Sequence, residues 1–295
     1  MKIALIGLGK MGSRMATRLC LKGFEVNAYD VSQGVMDGSA FCGINTFGTP
    51  YMAINKLPKP RITLLMVPAG KAVDDAIYSA KVAISGGDII VDCGNSYYED
   101  SMRRSISLQK DGVSYLDAGV SGGLEGALNG ASITVGGDKS CFDIVKPVFE
   151  ALACENGLRY MGKSGNGHYT KMVHNAIEYS IMQAYAEGLE LLDARGIDLK
   201  DSVDAWMHGS IIRSYLLELV SNVVSDRGVL DSLESNVGGG ETGMWAVKEA
   251  MKRKVNFGMT MEALKSRMTS KKESLAPKIV SALRHEFGGH EVKKK

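Results

Sequence analysis

The feature that most constrains the fold is a short apolar run that ends in three spaced glycines and leads directly into a helical pattern. The run KIALIG continues into Gly7-Leu8-Gly9-Lys10-Met11-Gly12, and the stretch MGSRMATRLCLKG that follows has helical periodicity. Such glycines allow a tight turn and bring backbone N–H groups close to a pyrophosphate at the N-terminus of a helix. A second β-rich run, EVNAYD, ends in Asp30 about 20 residues further on. This context predicts a dinucleotide-binding βαβ unit rather than a structural glycine turn.

The residue at the end of the second strand indicates which dinucleotide binds. The Asp30 carboxylate can accept hydrogen bonds from both ribose hydroxyls of NAD, and it would repel the 2′-phosphate of NADP. Val31, Ser32 and Gln33 follow it and offer no cation to reverse that repulsion. The turn therefore favours NAD over NADP.

The rest of the chain divides into an α/β part and a helical part. Strands are predicted at RITLLMV, DIIVDCG, VSYLDAGV and ASITVGG, with amphipathic stretches such as CFDIVKPVFEALAC between them. This alternation predicts a doubly wound Rossmann-type sheet that is mostly parallel and has helices on both faces. After the Gly-rich link GKSGNG the pattern is helical, apart from a predicted loop at residues 235–245. We expect a dinucleotide-binding domain over residues 1–164 and an all-α domain, built on a long inter-domain helix, over residues 165–295.

Composition narrows the class of protein. A net charge of +2 argues against a nucleic-acid partner. The chain has five cysteines and no CxxC pair, which predicts reduced thiols, including Cys42, rather than disulfides or a zinc site. The first apolar run is too short for a signal peptide, and no later run approaches the length of a membrane span. We expect a soluble cytoplasmic protein.

Chemistry-bearing residues share one face of the predicted long helix. At about 100° per residue, Lys171, His174, Asn175 and Glu178 fall within an arc of roughly 100°. The same arc continues toward the C-terminus with apolar residues, namely Ile181, Met182, Tyr185, Leu189 and Leu192. An inward-facing lysine and glutamate have to be paired, neutralised or exposed to a cavity. This face predicts a proton-transfer site, and the alternative is a solvated Lys/Glu surface.

Two loops that follow predicted strands are further candidates, because ligands of open α/β sheets bind at the carboxyl ends of strands. In the first loop, Ser96 and Glu99 have the spacing of a capping box, which leaves Asn95 to face the crevice. In the second, Ser121, Gly122 and Gly123 offer a hydroxyl and backbone amides to an oxygen-rich ligand. A plain glycine turn would have the same sequence.

Several motifs together resemble 6-phosphogluconate dehydrogenase in its short, NAD-preferring form within the β-hydroxyacid dehydrogenase superfamily. The resemblance runs from end to end of the chain and includes GLGKMG, MVPAG, GNSYYEDSMRR, AGVSGG, KMVHNAIEY and RHEFGGH. The first motif and the lysine helix also occur in relatives such as 3-hydroxyisobutyrate dehydrogenases. The motifs HNxIEY and RxxxFGxH are more specific to the phosphogluconate enzymes.

The resemblance implies an oxidative decarboxylation of 6-phosphogluconate that uses NAD and needs no metal. Lys171 would be the general base and Glu178 the acid that protonates the enediol. The cofactor would contact the glycine turn, Asp30 and a third group of residues, namely Val67, Pro68, Ala69 and Asn95. The sugar acid would be held by Asn95, Ser121, Gly122, Gly123, His174 and Asn175, and its phosphate by Tyr179, Arg267, Arg284 and His290. The family pattern also implies a homodimer in which the C-terminal segment, expected to lie beyond the last long helix, reaches the partner's site.

The sequence departs from the family pattern in ways that keep other functions open. Ala176 and Ser180 replace glycines, and both are small. Gly240 and Met244 stand where relatives carry a cation at one position or the other, which puts one phosphate contact in doubt. A dehydrogenase of an unphosphorylated 3-hydroxy acid is the enzymatic alternative. A catalytically silent NAD-binding sensor is a further one, although it would have no use for Lys171 and Glu178.

Overall fold

The fold is that of a computed structural model, which describes residues 1–40, 43–269 and 273–295. Cys42 lies outside the described residues. The described chain forms two compact units, Met1–Met172 and Val173–Lys295. Residues up to the long helix form the strands β1 (Lys2–Ile6), β2 (Glu25–Tyr29), β3 (Asn45–Thr46), β4 (Ile62–Leu65), β5 (Ile89–Asp92), β6 (Ser114–Ser121), β7 (Ala131–Gly136) and β8 (Ala153–Tyr160).

The helices between these strands are α1 (Lys10–Leu21), α2 (Gln33–Ala40), α3 (Pro50–Asn55), α4 (Lys71–Ala80), α5 (Tyr98–Gln109), α6 (Gly123–Asn129) and α7 (Lys139–Leu152). The remaining helices are α8 (Asn166–Ala194), α9 (Leu199–Met207), α10 (Tyr215–Val224), α11 (Arg227–Ser232), α12 (Glu241–Lys252), α13 (Gly258–Thr269) and α14 (Leu275–Gly288). The division between the compact units falls inside α8, in its second turn.

The strands form one sheet in the order β3-β2-β1-β4-β5-β6-β7-β8. All neighbouring pairs are parallel except β6 and β7, which are antiparallel. The predicted Rossmann-type fold followed by a helical domain is confirmed. Two strands escaped prediction: β3 has two residues, and β8, with the sequence ACENGLRY, is a largely exposed edge strand without apolar alternation.

The central strands are apolar throughout because helices cover both faces of the sheet. Successive side chains point to opposite faces. Leu5 and Leu64 therefore join the core formed with α1 and α7, whereas Ile6 and Leu65 join the core formed with α4 and α5. All four are at most 3% exposed.

Backbone hydrogen bonds continue past the ends of the central strands and align the loops that follow. Gly7 N donates to Tyr29 O at 2.8 Å, and Met66 N donates to Ile6 O at 2.8 Å. Cys93 N donates to Leu65 O at the same distance. The turns after β1, β2, β4 and β5 therefore start side by side at the carboxyl edge of the sheet, where β1 lies between β2 and β4.

The second unit has its own core, to which α8, α9, α10 and α14 contribute side chains such as Met182, Val203, Leu217 and Leu283. The buried stripe of α8 differs in part from the predicted one. Met182 and Leu189 are buried as expected, but Ile181 is 40% exposed. The predicted apolar stripe was thus partly wrong, because Ile181 lies outside the buried face of α8.

The C-terminal segment is more ordered than expected. Arg284 lies within α14, which ends at Gly288 with Gly289 in the left-handed conformation (φ 60°). Beyond it, Glu234 N donates to Lys293 O and Lys295 N donates to Ser232 O, each at 2.9 Å. The expectation that RHEFGGH lies beyond the last long helix was wrong for residues 284–288, which belong to α14, whereas Gly289 and His290 follow the helix. The predicted loop at residues 235–245 is also shorter, because α12 already begins at Glu241.

Among the described residues, no helix combines the length and apolar character needed to cross a membrane.

Candidate active site

The glycine turn after β1 is packed so closely that side chains could not fit at two of its positions. A Cβ on Gly7, whose φ is 98°, would lie 2.3 Å from Met66 O, and one on Gly12 would lie 2.0 Å from Gly7 O. A Cβ on Gly9 would meet nothing within 4 Å. Gly9 therefore faces open space at the N-terminus of α1, where backbone amides and the helix dipole favour an anion. The turn fits the pyrophosphate of a dinucleotide.

The remaining residues of the turn divide into core and surface. Leu8 is 1% exposed and belongs to the hydrophobic core, as does the partly buried Met11. Leu8 can therefore contribute only its backbone to a cofactor site. Lys10 is exposed at the first position of α1.

The Asp30 carboxylate is held in place by two backbone amides, one of them in the glycine turn after β1. Its Oδ2 accepts a hydrogen bond from Leu8 N at 2.6 Å, and its Oδ1 accepts one from Ser32 N at 2.8 Å. Each carboxylate oxygen can accept a second bond, so ribose hydroxyls can still be held. Val31, the next residue, is 91% exposed.

Asp92, at the end of β5, organises the loop that carries Asn95. Its Oδ1 accepts from Gly94 N at 3.0 Å, and its Oδ2 accepts from the hydroxyls of Ser96 and Tyr115, both at 2.7 Å. Burial, together with the Asp92 charge, raises the pKa of Tyr115, so this hydroxyl remains a donor. Ser96 is structural as expected, but not as a helix cap: α5 begins at Tyr98, after Tyr97 as its N-cap residue, without a side-chain cap. Asn95 is exposed.

Arg104, which sequence reasoning missed, links this loop to the one after β4. The side chain is 2% exposed; its Nη2 donates to Gly70 O at 2.9 Å, and its Nη1 lies 3.7 Å from Asp92 Oδ2. Its Nε donates to Asp74 at 2.8 Å. Burial opposes the charge, but the bond to Asp74 and nearby negative groups including Asp92 raise the pKa of Arg104 overall. Val67, Pro68 and Ala69 immediately precede Gly70, so Arg104 braces both loops that were predicted to contact the cofactor.

A signal for Arg104 was present in the sequence. It shares the inward face of α5 with Tyr98, Ser101 and Leu108, all of them buried and spaced three or four residues apart. An arginine on such a face needs buried acceptors.

Lys171 lies in α8, in the first unit, and its Nζ donates to Ser121 Oγ at 2.9 Å. Ser121 ends β6 and is 8% exposed. Gly122 follows with φ 125°, and Gly123 begins α6. The structure thus brings the predicted lysine into contact with one of the predicted substrate-binding residues.

In the second unit, His174 and Glu178 lie one turn apart on α8. His174 Nδ1 is 3.8 Å from Glu178 Oε2 and 3.2 Å from Asn175 Oδ1. The His174 side chain is 51% exposed and that of Glu178 is 22% exposed. This pair is accessible to a ligand.

The second unit also gathers cationic groups near Tyr179. Arg267 is 5% exposed, and its Cζ lies 4.2 Å from the centre of the Tyr179 ring. Burial lowers the pKa of Arg267, and the charge of Arg284 lowers it further. Burial also lowers the pKa of Arg284. A bound anion would stabilise both charges.

His290 follows α14 and contacts residues near the end of that helix. Its carbonyl oxygen lies 2.8 Å from His285 Nδ1, and its ring meets that of Phe287 edge to face at 6.2 Å. Among the described residues, no cluster of three or more His, Cys, Asp or Glu side chains is arranged to hold a metal ion.

Comparisons with known proteins decide the family. Residues 2–162 match the NAD binding domain of 6-phosphogluconate dehydrogenase, and residues 167–295 match the C-terminal domain of the same enzyme. The chain belongs to the 6-phosphogluconate dehydrogenase family. The predicted resemblance is thereby confirmed, and the family is one of oxidoreductases.

Individual relatives agree with this assignment. The NAD(+)-dependent decarboxylating 6-phosphogluconate dehydrogenase of Haloferax volcanii is 39% identical over 301 residues, covering 100% of this chain and 99% of the relative. An NADP(+)-dependent 6-phosphogluconate dehydrogenase of Bacillus subtilis is 34% identical, over 91% of this chain and 61% of its own length. The family thus includes members named for either cofactor.

Among solved structures, Plasmodium falciparum 6-phosphogluconate dehydrogenase superposes with a TM-score of 0.85 at 32% identity. The match covers 92% of this chain and 62% of that one, so the chain spans about three fifths of the Plasmodium protein. Mycobacterium tuberculosis 3-hydroxyisobutyrate dehydrogenase superposes with a TM-score of 0.75 at 20% identity, over 96% of this chain and 98% of that one. That second likeness is one of fold.

The bracing role of Arg104 leads to a prediction for cofactor affinity. Arg104→Met removes the donors to Gly70 O and Asp74 and the charge beside Asp92, so both loops lose a support. We expect the Kd for NAD, measured by calorimetric titration, to rise at least 10-fold.

The neighbouring Arg103 is the matched control. It also contacts Asp74, at 3.1 Å, but its side chain is 56% exposed. Arg103→Met should change the Kd less than 3-fold, because exposed ion pairs contribute little. Equal effects of the two substitutions would contradict the bracing role.

Proposed function

We propose that the protein catalyses the oxidative decarboxylation of 6-phospho-D-gluconate to D-ribulose 5-phosphate and CO2, with NAD as the cofactor. The observation that carries the proposal is the hydrogen bond between Lys171 and Ser121, at the end of a sheet whose first turn fits a dinucleotide. This arrangement supplies a possible base beside a hydroxyl that can hold a substrate. Membership of the family supports the same reaction.

The proton transfers are assigned to two residues of α8. Lys171 accepts the proton of the substrate 3-hydroxyl. NAD, which the glycine turn and Asp30 would hold, would supply the acceptor for the hydride that leaves the carbon bearing this hydroxyl. The C1–C2 bond of the resulting β-keto acid breaks and CO2 leaves, and the bonding electrons remain on the sugar as an enediolate, which takes the proton back from Lys171 to become an enediol. Glu178 then donates a proton to the carbon that carried the carboxylate, and Lys171 takes up the proton of the 3-hydroxyl, which leaves the ketone. A positioned acid or base of this kind contributes roughly 100-fold or more to a rate.

Substrate recognition is assigned to the residues that the family resemblance implies. Asn95, Ser121, Gly122, Gly123, His174 and Asn175 hold the sugar acid. Arg267 and Arg284, with Tyr179, hold the phosphate, and His290 is placed in the same role by resemblance alone. The lowered pKa of both arginines supports this assignment, because a dianion offsets the desolvation of two neighbouring cations.

Two alternatives differ in what they need from these residues. A dehydrogenase of an unphosphorylated 3-hydroxy acid is favoured by Met244, which is 37% exposed in the first turn of α12 and stands where relatives carry a cation. It is opposed by the neighbouring Arg267 and Arg284, whose combined positive charge suits a phosphate dianion. A silent NAD sensor has no use for the contact between Lys171 and Ser121.

The substrate assignment is tested by following NADH absorbance with 6-phosphogluconate, gluconate and 3-hydroxyisobutyrate as substrates. We expect turnover with the first at a kcat/KM at least 100-fold above the other two. A preference for 3-hydroxyisobutyrate would overturn the proposed substrate while keeping the reaction class.

Variants of the same enzyme test the assigned roles. Lys171→Ala should abolish NADH formation while leaving the Kd for NAD within 3-fold, and Glu178→Gln should lower kcat roughly 100-fold. Lys163→Ala, at an exposed lysine before α8, is the control and should be fully active. Near-normal turnover in Lys171→Ala would refute the proposed mechanism.

Cofactor preference is assigned to Asp30 and the exposed Val31. Asp30→Ser together with Val31→Arg removes the repulsion of a 2′-phosphate and adds a cation for it. The ratio of kcat/KM with NADP to that with NAD should rise at least 10-fold. A parent enzyme that already prefers NADP would contradict the assignment of Asp30.

We also propose a homodimer, and the subunit that Arg284 serves can be determined by mixing variants. The resemblance implies that the C-terminal segment completes the partner's site. A different arrangement is supported by the position of Arg284 in its own chain, where a Cβ on Gly239 would lie 2.8 Å from Arg284 Nη2. We therefore expect Arg284 to serve the subunit that carries it.

Mixing Arg284→Ala chains with Lys171→Ala chains separates the two arrangements. If Arg284 serves its own subunit, no site in a hybrid dimer has both residues, and NADH formation stays at the level of the parents. Recovery of activity after subunit exchange, proven by mass spectrometry, would show that the C-terminal segment crosses to the partner.

A further inference from the structure

One face of β6 is directed at the first turn of α8. Asp117, Gly119 and Ser121 alternate along the strand and therefore point to the same side. Asp117 binds the backbone of the turn, Gly119 leaves room for it, and Ser121 binds the Lys171 side chain. Together the three residues contact the start of α8 from Gly165 to Lys171.

Asp117 caps the N-terminus of α8, although it lies in a strand and not at the start of the helix itself. Its Oδ1 accepts from Gly165 N at 2.7 Å, and its Oδ2 accepts from His168 N at 2.9 Å. Gly165 is the residue before α8 and His168 is the third residue in it, so these are amides that a helix leaves without an internal partner. The carboxylate is completely buried.

Two glycines, Gly119 in β6 and Gly167 in α8, allow the first turn of α8 to pack directly against the backbone of β6. A Cβ on Gly119 would lie 2.4 Å from Lys171 Cβ, and one on Gly167 would lie 2.2 Å from Asp117 O. A second contact holds the turn from the other side: His168, which is 1% exposed, has its Nδ1 2.7 Å from Ser101 Oγ on α5. The first turn of α8 is thus fixed both to the sheet and to a neighbouring helix.

We propose that Asp117 is a positioning residue for Lys171. By holding the amides of Gly165 and His168, it fixes the first turn of α8, which Lys171 directly follows, and so sets the distance between Lys171 Nζ and Ser121 Oγ. Asp117 itself does not touch the substrate or the cofactor. This role rests on the proposed function of Lys171 as the base.

A carboxylate is required for this role because both bonding partners are donors. An asparagine offers a single acceptor oxygen, and its NH2 group would face one of the two amides. The substitution would also remove a negative charge from a helix N-terminus, where it is favourable. Asp117→Asn therefore loosens the turn while keeping the size of the side chain.

Asp88 provides a matched control on the same sheet. It is also completely buried, and it accepts from two backbone amides, Arg61 N at 2.8 Å and Ser85 N at 2.9 Å. It directly precedes β5, and so lies at the opposite edge of the sheet from the loops that follow the strands. Asp88→Asn therefore tests the loss of a buried, amide-binding carboxylate away from α8.

The experiment compares Asp117→Asn and Asp88→Asn as full-length proteins at a temperature where both are folded by circular dichroism. We expect Asp117→Asn to lower kcat at least 10-fold, with the KM for 6-phosphogluconate and the Kd for NAD within 3-fold of the parent. Asp88→Asn should leave kcat within 2-fold. Equal kcat values in the two variants would overturn the proposal, since a general loss of stability would affect both alike.

Two further measurements keep the test decisive. If Asp117→Asn does not fold, Ser101→Ala replaces it: removing the hydroxyl beside His168 should lower kcat at least 3-fold, and an unchanged kcat would overturn the proposal. Hydrogen exchange is independent of turnover and should be at least 10-fold faster for the amides of residues 165–171 in Asp117→Asn but not in Asp88→Asn. If the parent does not oxidise 6-phosphogluconate, the proposed function fails, whereas unchanged exchange in Asp117→Asn refutes the anchoring itself.

Discussion

The candidate site depends on backbone segments that approach each other more closely than side chains would allow. At the first turn, a Cβ on Gly12 would lie 2.0 Å from Gly7 O, and on α8 a Cβ on Gly167 would lie 2.2 Å from Asp117 O. These approaches bring the N-terminal ends of α1 and α8 directly onto strands of the sheet. Helix N-termini carry partial positive charge and unpaired amides, so both helices need acceptors at their start. The glycines therefore fix where α8 lies on the sheet as well as where a pyrophosphate can bind.

Carboxylates at or near the ends of the strands then hold the loops of the first unit in place. Asp30 follows β2 and binds two amides of the turns beside it, Asp92 ends β5 and binds the loop of Asn95, and Asp117 in β6 binds the start of α8. Each accepts at least one backbone N–H, which makes the adjacent loop part of the sheet's own hydrogen-bonding network. The loops that carry function are thus tied to rigid strands, which is what a site needs to keep its geometry.

Features of the site that depend on residues close together in the sequence could be predicted, and those that depend on distant partners could not. The glycine turn and Asp30 lie in a short pattern with a fixed spacing, and the fold class follows from alternating apolar runs. Lys171 and Ser121 lie 50 positions apart, and only the family resemblance assigned both to the substrate site. Arg104 and Asp117 act through partners 12 to 51 positions away. The inward face of α5 indicates that Arg104 needs buried acceptors, but no local pattern identifies which residues they are. The C-terminal segment was mistaken for a tail because the pattern RHEFGGH contains two adjacent glycines, which favour the end of a helix. Its first five residues nevertheless complete α14.

The Gly-rich loop before α12 carries no cation, and Arg267 and Arg284 already supply positive charge near it. A Cβ on Gly239 would lie 2.8 Å from Arg284 Nη2, and one on Gly243 would lie 2.5 Å from the Tyr179 ring that Arg267 covers. Gly239 in the loop and Gly243 in α12 thus leave room for the guanidinium of Arg284 and the ring of Tyr179. A cation on the loop itself would add to a region where burial already lowers the pKa of Arg267 and Arg284, and where the charge of Arg284 lowers that of Arg267 further. With Gly240 in the loop and Arg284 against it, α14 supplies the positive charge, and the absence of a cation at Gly240 and Met244 is compatible with a phosphate-binding surface.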